Sequence, residues 1–331
     1  MSEFIDLWPH RIFNSNLSNF EELCLDAFQY QYNHNVVYRE YAKIWGIQQG
    51  NDIKKIGDIP FLPIEFFKTH EIKSNQFPVL KTFESSGTSL TGNSKHFIVD
   101  LSIYEQSIFT HFQNHFGSIA NKCILGLLPS YLEKENSSLV YMVQALMKKS
   151  KHPLNGFYLY EHEQLAAKIK LLESKKEPYF LFGVTFGLLD FAKKFPIPIN
   201  YGKIIETGGM KGRKKEITKM ELYETLMNQF QTNTIYSEYS MCEMQSQFYT
   251  SQNGNFTGPK WARTFITDIN DPRSAAKMGK TGVIQVVDLA NIHSCCFIQT
   301  ADLGIEHPDF TFEVLGRRDQ SEQRGCSLMV S

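Results

Sequence analysis

Between residues 77 and 240 the chain alternates short apolar runs with longer amphipathic stretches, and few folds accommodate that pattern. The runs "FPVLKTFE" (77–84), "KHFIVD" (95–100), "KCILGLLPS" (122–130), "PYFLFGVT" (178–185), "KIIETGG" (203–209) and "NTIYSEYS" (233–240) read as strands. Between them, residues 101–116, 135–149, 162–176, 186–195 and 214–230 carry apolar side chains at helical spacing. Strands alternating with helices predict an α/β fold, a largely parallel sheet covered by helices. Upstream, 18–46 reads as one helix, and "IGDIPFLPIEFFKTHEI", with Pro60 and Pro63, reads as irregular with a short helical piece. Beyond 245 the character turns β-rich, with Asn253-Gly254 as a hairpin signal. The composition shifts divide the chain into an α/β core (1–245), a β-rich subdomain (246–315) and a tail (316–331).

Several functional classes are excluded at this level. The 331 residues carry 34 basic and 35 acidic side chains, a formal net charge of −1, which leaves no electrostatic footprint for nucleic acid. Apolar runs such as "CILGLL" (123–128) are too short for a membrane span. The opening "MSEFIDLWPHRIF" lacks the basic leader and continuous apolar stretch of a signal peptide. The six cysteines (Cys24, Cys123, Cys242, Cys295, Cys296, Cys326) show neither C-x-x-C pairing nor knuckle spacing. That pattern predicts free thiols in a reducing cytoplasm and no zinc site. Homo- and hetero-oligomeric assembly both stay open.

The polar stretch "ESSGTSLTGNSK" (84–95) stands apart in a chain rich in Phe, Ile and Leu. A loop of Gly, Ser and Thr after a strand exposes backbone N–H groups and hydroxyls, natural partners for phosphate oxygens. Taken alone it also fits a solvent-exposed hairpin loop. It is not a Walker A loop: Gly87 and Gly92 have that spacing, but Asn93-Ser94 stands where Lys-Ser/Thr belongs. Three loops follow predicted strands: this one, "TGGMKGR" and "YSEYSMCE". Ligands of open α/β sheets sit where such loops converge.

Four stretches occur in order: "SSGTSLTGNSK" (85–95), "YSMCE" (239–243), "TADLG" (300–304) and "GRRDQSEQRG" (316–325). They resemble the successive motifs of the adenylate-forming superfamily, the acyl- and aryl-CoA ligases and their relatives. That family's phosphate loop reads roughly [ST]-[ST]-G-T-[ST]-G-x-[PS]-K; the match here is good to Thr88, and the remainder is two residues longer. The family's Y-G-x-T-E becomes Tyr239 to Glu243, with Cys242 in place of the frequent Thr, and its [YT]-x-D becomes Thr300-Ala301-Asp302. "ETGGM" (206–210) resembles its glycine-rich adenine loop.

The resemblance implies ATP and Mg²⁺ as cofactors. Ser85, Ser86, Gly87, Thr88 and Gly92 would surround the phosphates, and Gly208, Gly209, Met210 and Tyr239 the adenine. Glu243 would bind Mg²⁺ and serve catalysis, Asp302 would accept from the ribose hydroxyls, and Arg317 would approach the ribose or α-phosphate. Each also has a plainer reading: Tyr239 as a core aromatic, Glu243 as a helix N-terminal acid, Asp302 as a turn residue.

A narrower resemblance covers essentially the whole chain. The ending "FEVLGRRDQSEQRGCSLM" and the segment Pro63-x-x-x-Phe67-Lys68 are similar to the acyl-protein synthetases of bacterial bioluminescence, the long-chain-fatty-acid–protein ligases. It implies an adenylate-forming core lacking the usual C-terminal lid domain, whose hinge motif would contain Asp319. It also implies a fatty or other apolar carboxylic acid as substrate, Cys326 as acyl acceptor, and an acyl reductase as partner. Arg324, two residues away, would favour the Cys326 thiolate. In place of the lid's lysine, Lys95, Lys211 and Arg213 are candidates to offset developing charge, with Lys95 in the catalytic set. A CoA ligase of the phenylacetate–CoA ligase type and a non-catalytic nucleotide- or acyl-binding subunit stand as alternatives.

Overall fold

The computed structural model describes residues 2–74, 77–85, 92–128, 135–158, 160–208, 217–251 and 254–318. The chain forms two compact units: Met1–Pro78 with the chain from Gly258 onward, and Val79–Thr257.

The first unit opens with helices α1 (Ser2–Phe13), α2 (Phe20–His34) and α3 (Val36–Ile44), followed by a short strand β1 (Leu62–Pro63) and one helical turn α4 (Phe66–Thr69). The single helix expected over 18–46 is therefore two. Asn35 breaks it by adopting an extended backbone and accepting from Tyr38 N through its side chain, which caps α3. α1 was not anticipated, because Pro9 within it disguises its periodicity.

The second unit carries the alternation read from the sequence. A two-stranded antiparallel hairpin, β2 (Lys81–Glu84) and β3 (Lys95–Ile98), leads into α5 (Leu101–Phe116). Next come β4 (Cys123–Leu127), α6 (Ser138–Ser150), β5 (Gly156–Phe157), α7 (His162–Lys175), β6 (Tyr179–Gly183), α8 (Thr185–Lys194), β7 (Gly202–Glu206), α9 (Lys219–Phe230) and β8 (Ile235–Tyr239). β9 (Phe248–Thr250) and β10 (Phe256–Thr257) close the unit. The sheet runs β5–β4–β6–β7–β8–β9–β10, parallel from β5 to β8 and antiparallel thereafter. The turn between β9 and β10 is the expected hairpin, with Gly254 at φ 87°; Asn253 lies outside the described residues.

Burial on both sheet faces explains the unbroken apolar strands. β4 and β6 are buried along their whole length, and successive side chains point to opposite faces. Leu125 and Leu181 join a core with α7, α8 and α9, whereas Ile124 and Phe180 join one with α5 and α6. The helices are cut to length by local chemistry. At the start of α9, Glu221 N donates to Thr218 Oγ1 at 3.2 Å and Thr218 N donates to Glu221 Oε2 at 2.8 Å, a reciprocal capping box. Thr218→Ala is expected to lower stability by about 1 kcal/mol in urea denaturation, with Thr218→Ser restoring it.

In the first unit, β11 (Ala262–Thr267), β12 (Gly282–Asp288), β13 (Phe297–Glu306) and β14 (Phe312–Arg317) form an antiparallel meander, and β1 joins β13 in parallel. The amino-terminal helices belong to this body. Buried Gln31 donates through Nε2 to the carbonyls of Asn291, Ile292 and Ser294 at 3.0, 3.0 and 3.2 Å, and its Oε1 accepts from Cys296 N at 2.9 Å. Tyr38 stacks on Phe297 at 6.1 Å between ring centroids, and Trp8 Nε1 donates to Leu289 O.

Candidate active site

In the second unit the candidate residues gather where β7 and β8 end. These neighbouring parallel strands pair Glu206 with Ser237, so the chain leaves both at the same edge of the sheet. After β7, Glu206 organises the glycine turn. Its Oε1 accepts from Gly208 N at 2.7 Å and from Thr185 Oγ1, and its Oε2 accepts from Ser237 Oγ at 2.8 Å. Thr185 N donates to Gly208 O at 3.0 Å, so both backbone groups of Gly208 are held. Gly208 has φ 75°, a conformation in which an L side chain is strained. Gly209, Met210, Lys211 and Arg213 lie outside the described residues.

After β8, Tyr239 is half-buried against Phe248 and Phe256, with ring centroids at 6.2 and 5.8 Å. Glu243 is buried in a turn, not at a helix start, and Met244 N closes that turn on Met241 O at 3.1 Å. Cys242 is buried as well. Burial, with the neighbouring charges of Glu243 and Glu84, pushes its thiol well above the usual range.

The phosphate stretch departs from expectation in its setting. Its described residues flank the antiparallel pair β2–β3, and the strand before it does not belong to the parallel sheet. Ser85 N donates to Ser94 O at 3.1 Å, and Ser94 N donates back to Ser85 Oγ at 3.0 Å. Gly92 has φ 87°. Lys95 is exposed and pairs across the hairpin with Glu84. Ser86, Gly87 and Thr88 lie outside the described residues. A contact not foreseen in the sequence joins this hairpin to the Tyr239–Glu243 turn: the His96 imidazole Nδ1 lies 2.8 Å from the Cys242 carbonyl oxygen. The described parts of all three loops thus belong to one hydrogen-bonded assembly.

Glu238 was also missed. It is 6% exposed, next to Tyr239, and its Oε1 has no hydrogen-bond partner among the described residues. Burial pushes its carboxyl up to about 7; a hydrogen bond from Ser240 opposes the rise and the charge of Glu206 adds to it. The signal was present in "NTIYSEYS", where a carboxylate interrupts an otherwise buried strand.

In the first unit the structure brings Asp302 and Arg317 together. They face each other across β13 and β14, with Arg317 Nε 3.8 Å from Asp302 Oδ1. Asp302 is therefore a strand residue and not a turn residue. Arg317 is 68% exposed, so the pair contributes little stability. Cys326, Asp319 and Arg324 lie outside the described residues. Each of the five described cysteines is buried, and burial raises each thiol, Cys123 and Cys295 to about 12. Among the described residues no group of three or more His, Cys, Asp and Glu is arranged to hold a metal, and no helix is long and apolar enough to cross a membrane.

The architecture is that of adenylate-forming ligases. A 2-hydroxyisobutyryl-CoA ligase, solved with 2-HIB-AMP and CoA, matches with a TM-score of 0.69 at 13% identity over 94% of this chain and 71% of its own. ATP-bound MatB from Rhodopseudomonas palustris matches with a TM-score of 0.54 at 11% identity, over 72% of this chain and 48% of its own. Within that class the chain belongs to the LuxE acyl-protein synthetase family, whose model matches residues 13–331. It is 23% identical to a long-chain-fatty-acid–luciferin-component ligase of Aliivibrio fischeri over 94% of this chain and 87% of that protein. A ligase of the same description from Vibrio harveyi is 24% identical over 92% and 85%. The chain is thus an enzyme of the ligase class.

Proposed function

We propose that this enzyme activates a fatty or other apolar carboxylate with ATP and then carries the acyl group on Cys326. The carboxylate oxygen attacks the α-phosphorus, the bond to the β-phosphate oxygen breaks, and pyrophosphate leaves. The Cys326 thiolate then attacks the acyl carbon of the mixed anhydride and AMP leaves, giving a thioester for delivery to an acyl reductase. The observation that carries the reading is the His96 contact joining the phosphate hairpin to the Tyr239–Glu243 turn, with the Gly208 turn tied through Glu206 to Ser237 on the strand that leads into it, in a chain of this family.

Residue chemistry supports the roles. Ser85, Ser86, Gly87, Thr88 and Gly92 surround the phosphates, with Lys95 as the nearby cation. Gly208, Gly209, Met210 and Tyr239 frame the adenine, and Asp302 and Arg317 serve the ribose. Mg²⁺ fits a site with one protein carboxylate, Glu243, because this ion is commonly held by one or two carboxylates together with substrate phosphates. When bound, it offsets phosphate charge. The choice of Cys326 gains support from the other cysteines, whose buried thiols resist forming a thiolate. Free thiols and ATP chemistry suit a cytoplasmic enzyme.

Incubation with ATP, Mg²⁺ and radiolabelled fatty acids, followed by denaturing electrophoresis, tests this reading. Wild type is expected to retain label that hydroxylamine removes. Cys326→Ser is expected to lose the label while still releasing pyrophosphate. Label retained by Cys326→Ser overturns the acceptor. Acyl-CoA formation by that variant when CoA is added would indicate a CoA ligase, and no pyrophosphate release with any carboxylate would leave a binding subunit.

A further inference from the structure

Strand β3 carries a fully buried histidine between exposed Lys95 and partly buried Phe97. A leucine or phenylalanine would fill such a position without bringing a polar ring into the core, whose burial is costly unless it is hydrogen-bonded. The imidazole is hydrogen-bonded in a particular way. Its Nδ1 lies 2.8 Å from the carbonyl oxygen of Cys242, 146 positions away in sequence. A carbonyl can only accept, so Nδ1 carries the proton and donates.

The acceptor is the peptide carbonyl linking Cys242 to Glu243. On the donor side, Ser94 and Ser85 exchange two hydrogen bonds at the base of the hairpin tip, and the Cys242 thiol approaches Ser94 O at 4.0 Å. A short connected path therefore runs from Ser85 through Ser94 and His96 to the backbone immediately before Glu243. The path spans two segments that are separate in sequence and reaches both the phosphate hairpin and the buried carboxyl.

We propose that His96 is a positioning residue that sets the phosphate hairpin in register with Glu243 through the Cys242 carbonyl; this rests on the adenylating function above. Misplacing groups that act on the same phosphates by about 1 Å costs on the order of 10²-fold in rate. The effect belongs in the adenylation rate, not in recognition of the acyl chain.

The test compares three variants by ATP–pyrophosphate exchange with a fatty acid. His96→Leu removes the donor, His96→Asn places an amide N–H near the Nδ1 position, and His96→Gln places one near Nε2. His96→Leu is expected to lower kcat about 10–100-fold with the KM for the carboxylate within twofold. His96→Asn is expected to recover much of the rate and His96→Gln little of it. Full kcat in His96→Leu, or equal recovery by Asn and Gln, overturns the proposal. If His96→Leu does not fold, the Asn–Gln comparison still decides.

Hydrogen exchange separates this idea from the functional reading. Loss of the strut is expected to speed exchange of the Ser94 and Met244 amides about tenfold or more in His96→Gln or His96→Leu relative to His96→Asn, with β6 amides unchanged. That outcome in a wild-type protein that exchanges no pyrophosphate would sink the adenylating function and leave the strut standing. Unchanged exchange in an active enzyme would sink the strut alone.

Discussion

Glu206→Ala is expected to destabilise the protein by about 3 kcal/mol, because it removes the acceptor of three hydrogen bonds at the end of β7. Not all three donors suffer equally. Ser237 Oγ keeps its 2.6 Å contact with Tyr223 OH, and Thr185 Oγ1 can rotate. Gly208 N is a fixed backbone donor, and it loses the only acceptor described for it. The variant also leaves a cavity in a buried part of the sheet edge. Glu206→Gln keeps the shape and an oxygen for Gly208, so its cost is expected near 1 kcal/mol. Urea denaturation of both variants is the check. A Glu206→Ala midpoint equal to wild type would show that Glu206 does not hold the glycine turn. On the proposed function, nucleotide affinity should fall with stability, because the same carboxyl shapes the turn that frames adenine.

Glu238→Gln is expected to change how stability responds to pH. In the folded protein the carboxyl titrates at about 7, above its ordinary value of 4.5. Between these values an unfolded chain has released the proton that the folded chain still holds. Stability therefore declines as pH rises from about 4.5 to about 7 and levels off above. A shift of this size corresponds to about 3 kcal/mol between the two plateaus. Glutamine does not titrate and can still accept from Ser240, so the variant should lack this component. The difference between variant and wild-type stabilities, measured in urea at steps from pH 5 to 8, should grow in favour of the variant. Other titrating groups largely cancel in that difference. Parallel curves would show that Glu238 ionises near its ordinary pH.

The alternating strands and helices of 79–257 were legible because each local period agrees with its final environment. β4 and β6 read as buried strands because they are apolar on both faces, and both faces are covered. Gly254 was legible as a turn residue and adopts positive φ, as do the loop glycines at 92 and 208. What escaped has a common cause: a local pattern does not reveal a distant partner. "KHFIVD" reads as a strand whether or not its histidine meets a carbonyl 146 positions on. Asn35 looks like any polar residue on a helix until its side chain caps the next one. The tie between Gln31 and the carbonyls of 291–294 has no sequence signature at all. Asp302 and Arg317 carried motif signals, but only antiparallel pairing makes them neighbours.

That long-range tie also sets an order of events during synthesis. Val79–Thr257 is one continuous segment, so all its strands leave the ribosome before the last part of the chain is made. The helices of the first 78 residues emerge earlier, yet Gln31, Trp8 and β1 find their partners only at residues 289–299. This earlier-made segment is thus completed later than the one that follows it. Until then its apolar helix faces wait for strands that do not yet exist, the condition under which a growing chain most needs protection from aggregation.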